Sequence, residues 1–290
     1  MGMLDNKAVV VTGAAAGLGR THAVAAAAAG ASVVVNDVDP DGANAVVAEI
    51  NAAGGRAVAS VGSVSDFGLA SAMVKTCVDS FGAIDGLVNN AAIFHRAAPA
   101  DETEQGLRRI VEVNVLGSLF CALHAFDAMR AQGSGTILNV ISGAHIGITN
   151  MTAYGATKGA VASMTYNLAL EGHGCGVRVN ALSPVADTGM SVGAPDRDDG
   201  VPRPRPEAIS PAVVFMLSDR AAEVTGQVLR FDGQSLSFME QPNFRTLRVQ
   251  ADVWTAEEIA RLYEDQLRDE RRPVGLNANL TFLERATAGG

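Results

Sequence analysis

The sequence predicts a doubly wound α/β architecture, a seven-stranded parallel sheet with helices on both faces. Three observations carry this expectation. Short β-branched runs alternate with longer Ala-rich stretches through the first two-thirds of the chain. Those runs are largely apolar rather than alternating, as in strands buried on both faces. Glycines cluster where the first such run gives way to the first Ala-rich stretch. The expected strands are residues 8–12, 32–36, 56–61, 86–89, 135–141, 177–182 and 227–231. Between them the Ala-rich segments 19–29, 41–53, 65–81, 103–129 and 152–172 read as helices, with a shorter one over 211–217.

Composition narrows the function classes. The 290 residues are 48% hydrophobic and 18% charged, which excludes a disordered or fibrous chain. A formal charge of −9 leaves no basic footprint for nucleic acid and no polybasic patch for anionic lipid. The apolar stretch 23–35 is interrupted by Gly30 and Ser32 and falls short of the ~20 residues a bilayer span needs. The first residues lack the charged and apolar regions of a secretory signal. Cys77, Cys121 and Cys175 are widely spaced and odd in number, so they form neither a disulfide framework nor a metal pair. A soluble cytoplasmic protein is expected, with a small-molecule substrate and no nucleic-acid or membrane partner.

Composition changes twice along the chain. Residues 187–206 are rich in Pro, Gly and charge and read as an irregular surface loop, the expected lid. After Gly233 the strand–helix alternation stops, which divides the chain into a catalytic domain, 1–233, and a mainly helical C-terminal extension, 234–290. The extension holds one capping box, Thr255 to Glu258, leading into an expected helix over 259–271. Its apolar residues, among them Leu236, Phe238, Trp254, Ile259, Leu262 and Leu267, ask for cover, either on the chain's own core or on a neighbouring subunit.

The first candidate site is the turn after the first strand, Thr12-Gly13-Ala-Ala-Ala-Gly17-Leu18-Gly19. Glycines there permit a tight turn and close approach of backbone to a dinucleotide pyrophosphate. The helix that follows offers free N–H groups and a positive dipole end to the phosphates. Asp37, at the end of the second strand and 18 residues past Gly19, stands where an acid would bind the ribose hydroxyls. A carboxylate there repels a 2′-phosphate, and Val38-Asp39-Pro40-Asp41 supplies no cation. NAD is therefore the expected cofactor. Arg20 is the one nearby base that could be thought to pair with such a phosphate.

The second candidate is Tyr154 and Lys158, four residues apart and so on one face of the expected helix. An ammonium beside a phenol favours phenolate, which would lower the Tyr154 pKa toward working pH and suit it to acid–base catalysis. The chain has three tyrosines and three lysines (Lys7, Lys75 and Lys158), so the pairing is uncommon by chance.

These motifs occur in order with Asn89-Asn90-Ala91, Asn114, Ser142 after Leu138-Asn139-Val-Ile, and Arg178-Val-Asn180-Ala-Leu-Ser-Pro184. Together they resemble the short-chain dehydrogenase/reductase (SDR) family, over about residues 4–233. The resemblance implies a Rossmann-like fold and an NAD-dependent oxidoreductase that moves a hydride between nicotinamide and a secondary alcohol or ketone. It implies Tyr154 as general acid/base, Ser142 as the group polarising the substrate oxygen, and Lys158 on the nicotinamide ribose. Asn114 would anchor a water extending the proton relay. For the cofactor it implies Gly13, Gly17, Leu18, Gly19, Asp37, Ser63, Val64, Asn90, Ala91, Tyr154, Lys158, Pro184, Val185 and Thr188. Family members are commonly dimers or tetramers, so a homo-oligomer, a homotetramer in particular, is expected.

The chain departs from the family pattern in places. Ser63 stands where an Asp is usual, so the adenine contact rests on Ser63 and the Val64 backbone. Ala92 and Val185 replace usual glycines, and the step from Pro184 to Thr188 is one residue short. These details resemble the dehydrogenase unit of multifunctional β-oxidation enzymes, which keeps a 3-hydroxyacyl-thioester substrate open as an alternative. His95 and His145 follow the Asn-Asn-Ala strand end and Ser142, so either could border the substrate cleft. No third ligand at a recognisable spacing accompanies them, and no metal site is expected. His22, His124 and His173 fall on expected helix surfaces or ends. Two other readings stand. A sugar-nucleotide epimerase shares the Tyr/Lys pair but normally carries a larger substrate domain. A non-catalytic NAD-binding sensor would be expected to have lost Tyr154, Lys158 or Ser142.

Overall fold

The computed structural model describes residues 2–187, 202–244, 247, 249–250, 254–268, 271–272 and 274–276. Eight strands form one sheet in the order β3-β2-β1-β4-β5-β6-β7-β8. They are β1 (Ala8–Thr12), β2 (Ser32–Asp37), β3 (Arg56–Val61), β4 (Gly86–Asn89), β5 (Gly135–Val140), β6 (Val177–Pro184), β7 (Val228–Phe231) and β8 (Leu236–Phe238). The first seven pair in parallel, and β8 pairs antiparallel with β7. The sequence-based count of seven is thus corrected to eight. The missed strand is three residues long and exposed throughout, so it carries no burial pattern to read.

Strand burial explains the apolar runs. Val9, Val11, Val33 and Val35 point into one core with Ala23, Ala26, Val46, Val213 and Met216, from α1 (Gly17–Ala28), α2 (Pro40–Ala52) and α7 (Ser210–Leu217). Val10 and Val34 point into the opposite core with Met73, Cys121, Ala125 and Ala169. Those come from α3 (Phe67–Phe81), α5 (Ser118–Gln132) and α6 (Thr152–Gly172). Side chains alternate across each strand while both faces are covered, which is why neither face needed polar residues.

The long helix expected over 103–129 runs as α4 (Glu104–Val111), a π-helical turn (Glu112–Gly117) and α5. By length and apolarity this continuous helix, Glu104–Gln132, could cross a membrane. Here its Ile110, Val113, Cys121, Ala122, Ala125 and Met129 are buried in the fold. His22 is not on a helix surface: it is fully buried, its Nδ1 3.1 Å from Ser210 Oγ. Burial drives its pKa down to about 3.

In the extension the capping box forms as expected, but α8 spans only Ala256–Leu262 before a π-helical turn, Tyr263–Leu267. Neither buries a residue, so this helix does not pack on the chain's own core.

Candidate active site

Order reverses in the sheet between β1 and β4, since β2 and β3 lie to one side and β5 to β8 to the other. Such a switch point opens a crevice outside the carboxyl ends of the strands, where doubly wound sheets bind ligands. Every candidate residue that the structure describes lies on a strand end, a following loop or a helix opening around it, apart from Lys158 one turn into α6 and Asn114 in the π turn.

On the β1 side, Gly13 holds φ +61, and a methyl there would lie 2.8 Å from the Ala91 Cα. Gly17 holds φ +55 with nothing within 4 Å of its Cβ position, an open cradle at the first residue of α1. Ala16 caps that helix with no side-chain hydrogen bond, and no acidic residue sits in its first turn. The helix N-terminus is thus free to meet an anion. Asn90 Nδ2 donates to the Thr12 and Gly13 carbonyls at 2.9 and 3.0 Å, and Thr12 Oγ1 accepts from the Asn90 and Ala91 N–H groups. The β4 loop therefore fixes the shape of the glycine turn. Across it, Asp37 accepts from the Ala15 N–H at 2.9 Å and from the Asp39 N–H at 3.1 Å. Arg20 is turned away, paired through Nε and Nη2 with Glu49 at 3.1 and 2.6 Å. The arrangement fits a nicotinamide dinucleotide.

Farther along the crevice the Ser63 hydroxyl pairs with Ser65 Oγ at 2.8 Å, and the Val64 side chain is buried against Gly117. Pro184 ends β6, and the Val185 N–H donates to the Phe231 carbonyl at 2.9 Å. Thr188 lies outside the described residues, as does most of the expected lid. Its neck is closed by the Asp187 N–H donating to the Pro204 carbonyl at 2.8 Å.

The candidate reacting groups stand just beyond β5 and on α6. The Ser142 side chain faces the Tyr154 hydroxyl closely enough to pull its pKa down, and its own Oγ accepts from the Ala144 N–H at 3.2 Å. Tyr154 and Lys158 share a helix face as the spacing predicts, with Lys158 Nζ 5.7 Å from the Tyr154 ring centre. Lys158 is turned beneath the phenol, however, and donates to the Val140 carbonyl at 2.8 Å. The expected lowering of the Tyr154 pKa is not found. Burial pushes the phenol up to about 12, against the opposing pull of Ser142. Burial also brings the Lys158 ammonium down to about 8, so it stays largely charged at neutral pH.

Asn114 is fully buried in the π turn, a distortion often found at functional sites. Its Oδ1 accepts from the Ile93 N–H at 2.8 Å, and its Nδ2 donates to the Ile93 carbonyl at 2.9 Å and Thr157 Oγ1 at 3.2 Å. It ties the β4 loop to α6. His95 and His145 are both engaged. His95 Nε2 pairs with Glu102 at 2.9 Å, and His145 Nδ1 donates to the Ser142 carbonyl at 2.6 Å. Phe94, which no sequence signal singled out, sets its ring edge-on to Tyr154 with centres 4.9 Å apart. Its neighbours Asn-Asn-Ala offered a hint of position only.

A nucleotide cradle at the switch point, joined to a Ser/Tyr/Lys cluster at the carboxyl ends of β5 and β6, defines a dinucleotide-binding oxidoreductase. Comparison with known proteins makes the class particular. Residues 7–198 match the family model "short chain dehydrogenase", and the chain belongs to that family of oxidoreductases, which act on CH–OH groups with nicotinamide cofactors. It is 37% identical over 239 residues to cis-4-hydroxycyclohexanecarboxylate dehydrogenase of Sinomonas cyclohexanicum, covering 78% of this chain and 95% of that one. A short-chain dehydrogenase from Mycobacterium avium superposes with a TM-score of 0.85 at 34% identity, over 94% of this chain and 99% of that one. A 7α-hydroxysteroid dehydrogenase solved with NADH and 7-oxo glycochenodeoxycholic acid superposes with a TM-score of 0.74 at 33% identity, over 80% and 94%.

Proposed function

We propose that the protein is an NAD(H)-dependent dehydrogenase that interconverts a secondary alcohol and a ketone, with Tyr154 as the general acid/base. The observation that carries this reading is the Ser142–Tyr154–Lys158 cluster standing beside an unblocked nucleotide cradle. The bound nicotinamide supplies the hydride acceptor or donor. In oxidation, Tyr154 Oη takes the proton of the substrate hydroxyl as the C–H electron pair leaves the carbinol carbon; in reduction it returns the proton to the ketone oxygen. Ser142 holds the substrate oxygen against the phenol. The Lys158 ammonium, beneath the phenol, would hold the nicotinamide ribose once the cofactor binds and add its positive charge beside the Tyr154 oxygen. Asn114 anchors the water that refills the relay.

Asp37 favours NAD, and Arg20 is committed to Glu49 rather than available to a 2′-phosphate. Gly13, Gly17, Leu18 and Gly19 take the pyrophosphate, and Asp37 takes the ribose hydroxyls. Ser63 and Val64 take the adenine. Asn90, Ala91, Pro184, Val185 and Thr188 surround the nicotinamide half. His95 and His145 border the substrate. The catalytic unit is residues 1–233, and 234–290 is its extension. Exposed Leu116, Leu123 and Leu170 support a homo-oligomer, proposed as a tetramer in the cytoplasm. The alicyclic substrates named for two relatives make ring alcohols the first panel to try.

The test is a scan of the nicotinamide absorbance with NAD over cyclic alcohols, steroids and 3-hydroxyacyl thioesters, beside NADH titration by fluorescence. Turnover of a secondary alcohol is expected. NADH binding with no turnover across the panel would replace this reading with the sensor.

A further inference from the structure

The described end of the chain returns to the site. The Leu276 N–H donates to the Gly147 carbonyl at 2.9 Å. A methyl on Gly147 would lie 3.2 Å from the Gly275 Cα. A methyl on Gly143 would lie 2.9 and 3.0 Å from the two Leu276 Cδ atoms and 3.4 Å from Arg230 Nη1. Two glycines of the loop that follows Ser142 thus leave the room that Gly275 and Leu276 fill.

The position of this contact matters more than its area. Gly143 is buried and directly follows Ser142 beyond β5, and Arg230 on β7 donates to Ser183 Oγ of β6 at 3.1 Å. Leu276 therefore sits outside the carboxyl ends of β5, β6 and β7. That is the ligand-binding edge of a doubly wound sheet, on the far side of the switch point from Asp37 and the glycine turn. Phe94 approaches the same Ser142–Tyr154 pair from the β4 loop. Both side chains are wholly apolar.

We infer that Leu276, carried back over its own subunit by the extension, forms a wall of the substrate cleft and sets the size of the apolar group on the substrate's carbinol carbon. The inference rests on the alcohol dehydrogenase reading above. A side chain walling an apolar pocket discriminates by about 10- to 200-fold per methylene it admits or refuses. Leu276→Ala should then raise kcat/KM for bicyclic secondary alcohols about tenfold or more relative to cyclohexanol. Leu276→Trp should lower the same ratio. A residue that merely steadied the Ser142 loop would change kcat for all alcohols alike.

The placement is tested without turnover in full-length Gly143→Cys/Leu276→Cys, bridged by a short bis-maleimide from a mixture of isotopically light and heavy chains. Crosslinked peptides of one label only are expected, because the contact lies within one chain. Mixed-label peptides, or no crosslink, overturn the inference. So does an unchanged preference across the alcohol panel in both Leu276 variants. If wild type turns over no alcohol, the functional reading fails and the size-selection inference falls with it, while the single-label crosslink still reports where the tail lies.

Discussion

Individual residues show where sequence reasoning ends. The Tyr154/Lys158 spacing put both side chains on one face of α6, and the structure keeps them there. Sequence alone could not show that Lys158 would turn to the Val140 carbonyl, because that acceptor belongs to a strand that only the fold brings beneath the helix. Nor could it show that burial would outweigh the opposing pull of Ser142 and raise the phenol. Cofactor choice is decided at the same scale. With Asp37 against the glycine turn and Arg20 held by Glu49, kcat/KM with NAD should exceed that with NADP by at least about tenfold, on the order of 1.4 kcal/mol. Steady-state kinetics with both cofactors measure this, and Asp37→Ala should narrow the gap; equal values in wild type would refute it. His22 supplies a second prediction. Burial holds its folded pKa at about 3, below the ordinary histidine value of 6.5, so the unfolded chain binds more protons between those values. The fold should be intact above pH 6.5 and lose stability progressively as pH falls toward 3. Urea midpoints measured across that range should fall less steeply in His22→Asn than in wild type.

Among the elements, those with strong patterns were legible. Helix α6 has the bounds read from the sequence, Thr152–Gly172, and all seven parallel strands lie within two residues of their expected positions. What the sequence concealed were elements whose identity depends on neighbours. The π turn Glu112–Gly117 continues the helical pattern, so the Ala-rich periodicity reads straight through it. Strand β8 exists because β7 presents an open edge, and its own residues are exposed. The π turn also packs closely: a methyl on Gly117 would lie 2.5 Å from Val64 Cγ2. Gly117→Ala should therefore destabilise the fold by about 1–3 kcal/mol through overpacking, measured as a lower urea midpoint. An unchanged midpoint would mean that Val64 moves aside freely. Gly13→Ala is predicted to abolish NADH binding, read by fluorescence titration, because its left-handed φ and the 2.8 Å approach to Ala91 leave no room for a methyl.

For the whole molecule, the doubly wound sheet makes one edge of the protein chemically competent. It gathers the glycine turn after β1 and Asp37 on β2, the Ser142–Tyr154–Lys158 cluster beyond β5 and on α6, and the returning tail. The extension's role was the least legible part, since an apolar tail predicts burial without naming the surface that supplies it. Helix α8 remains exposed, as do Leu123 on α5 and Leu170 on α6, which at 78% exposure is the barest leucine described. Light scattering should accordingly report a tetramer, with a smaller species in Leu123→Glu/Leu170→Glu; a wild-type monomer would contradict the proposal. The central claim, that Tyr154 moves the proton, is tested most directly by Tyr154→Phe. Steady-state oxidation of the best alcohol should fall below a few per cent of wild type while the variant binds NADH as tightly as before. Substantial turnover in Tyr154→Phe would mean that another group is the acid/base.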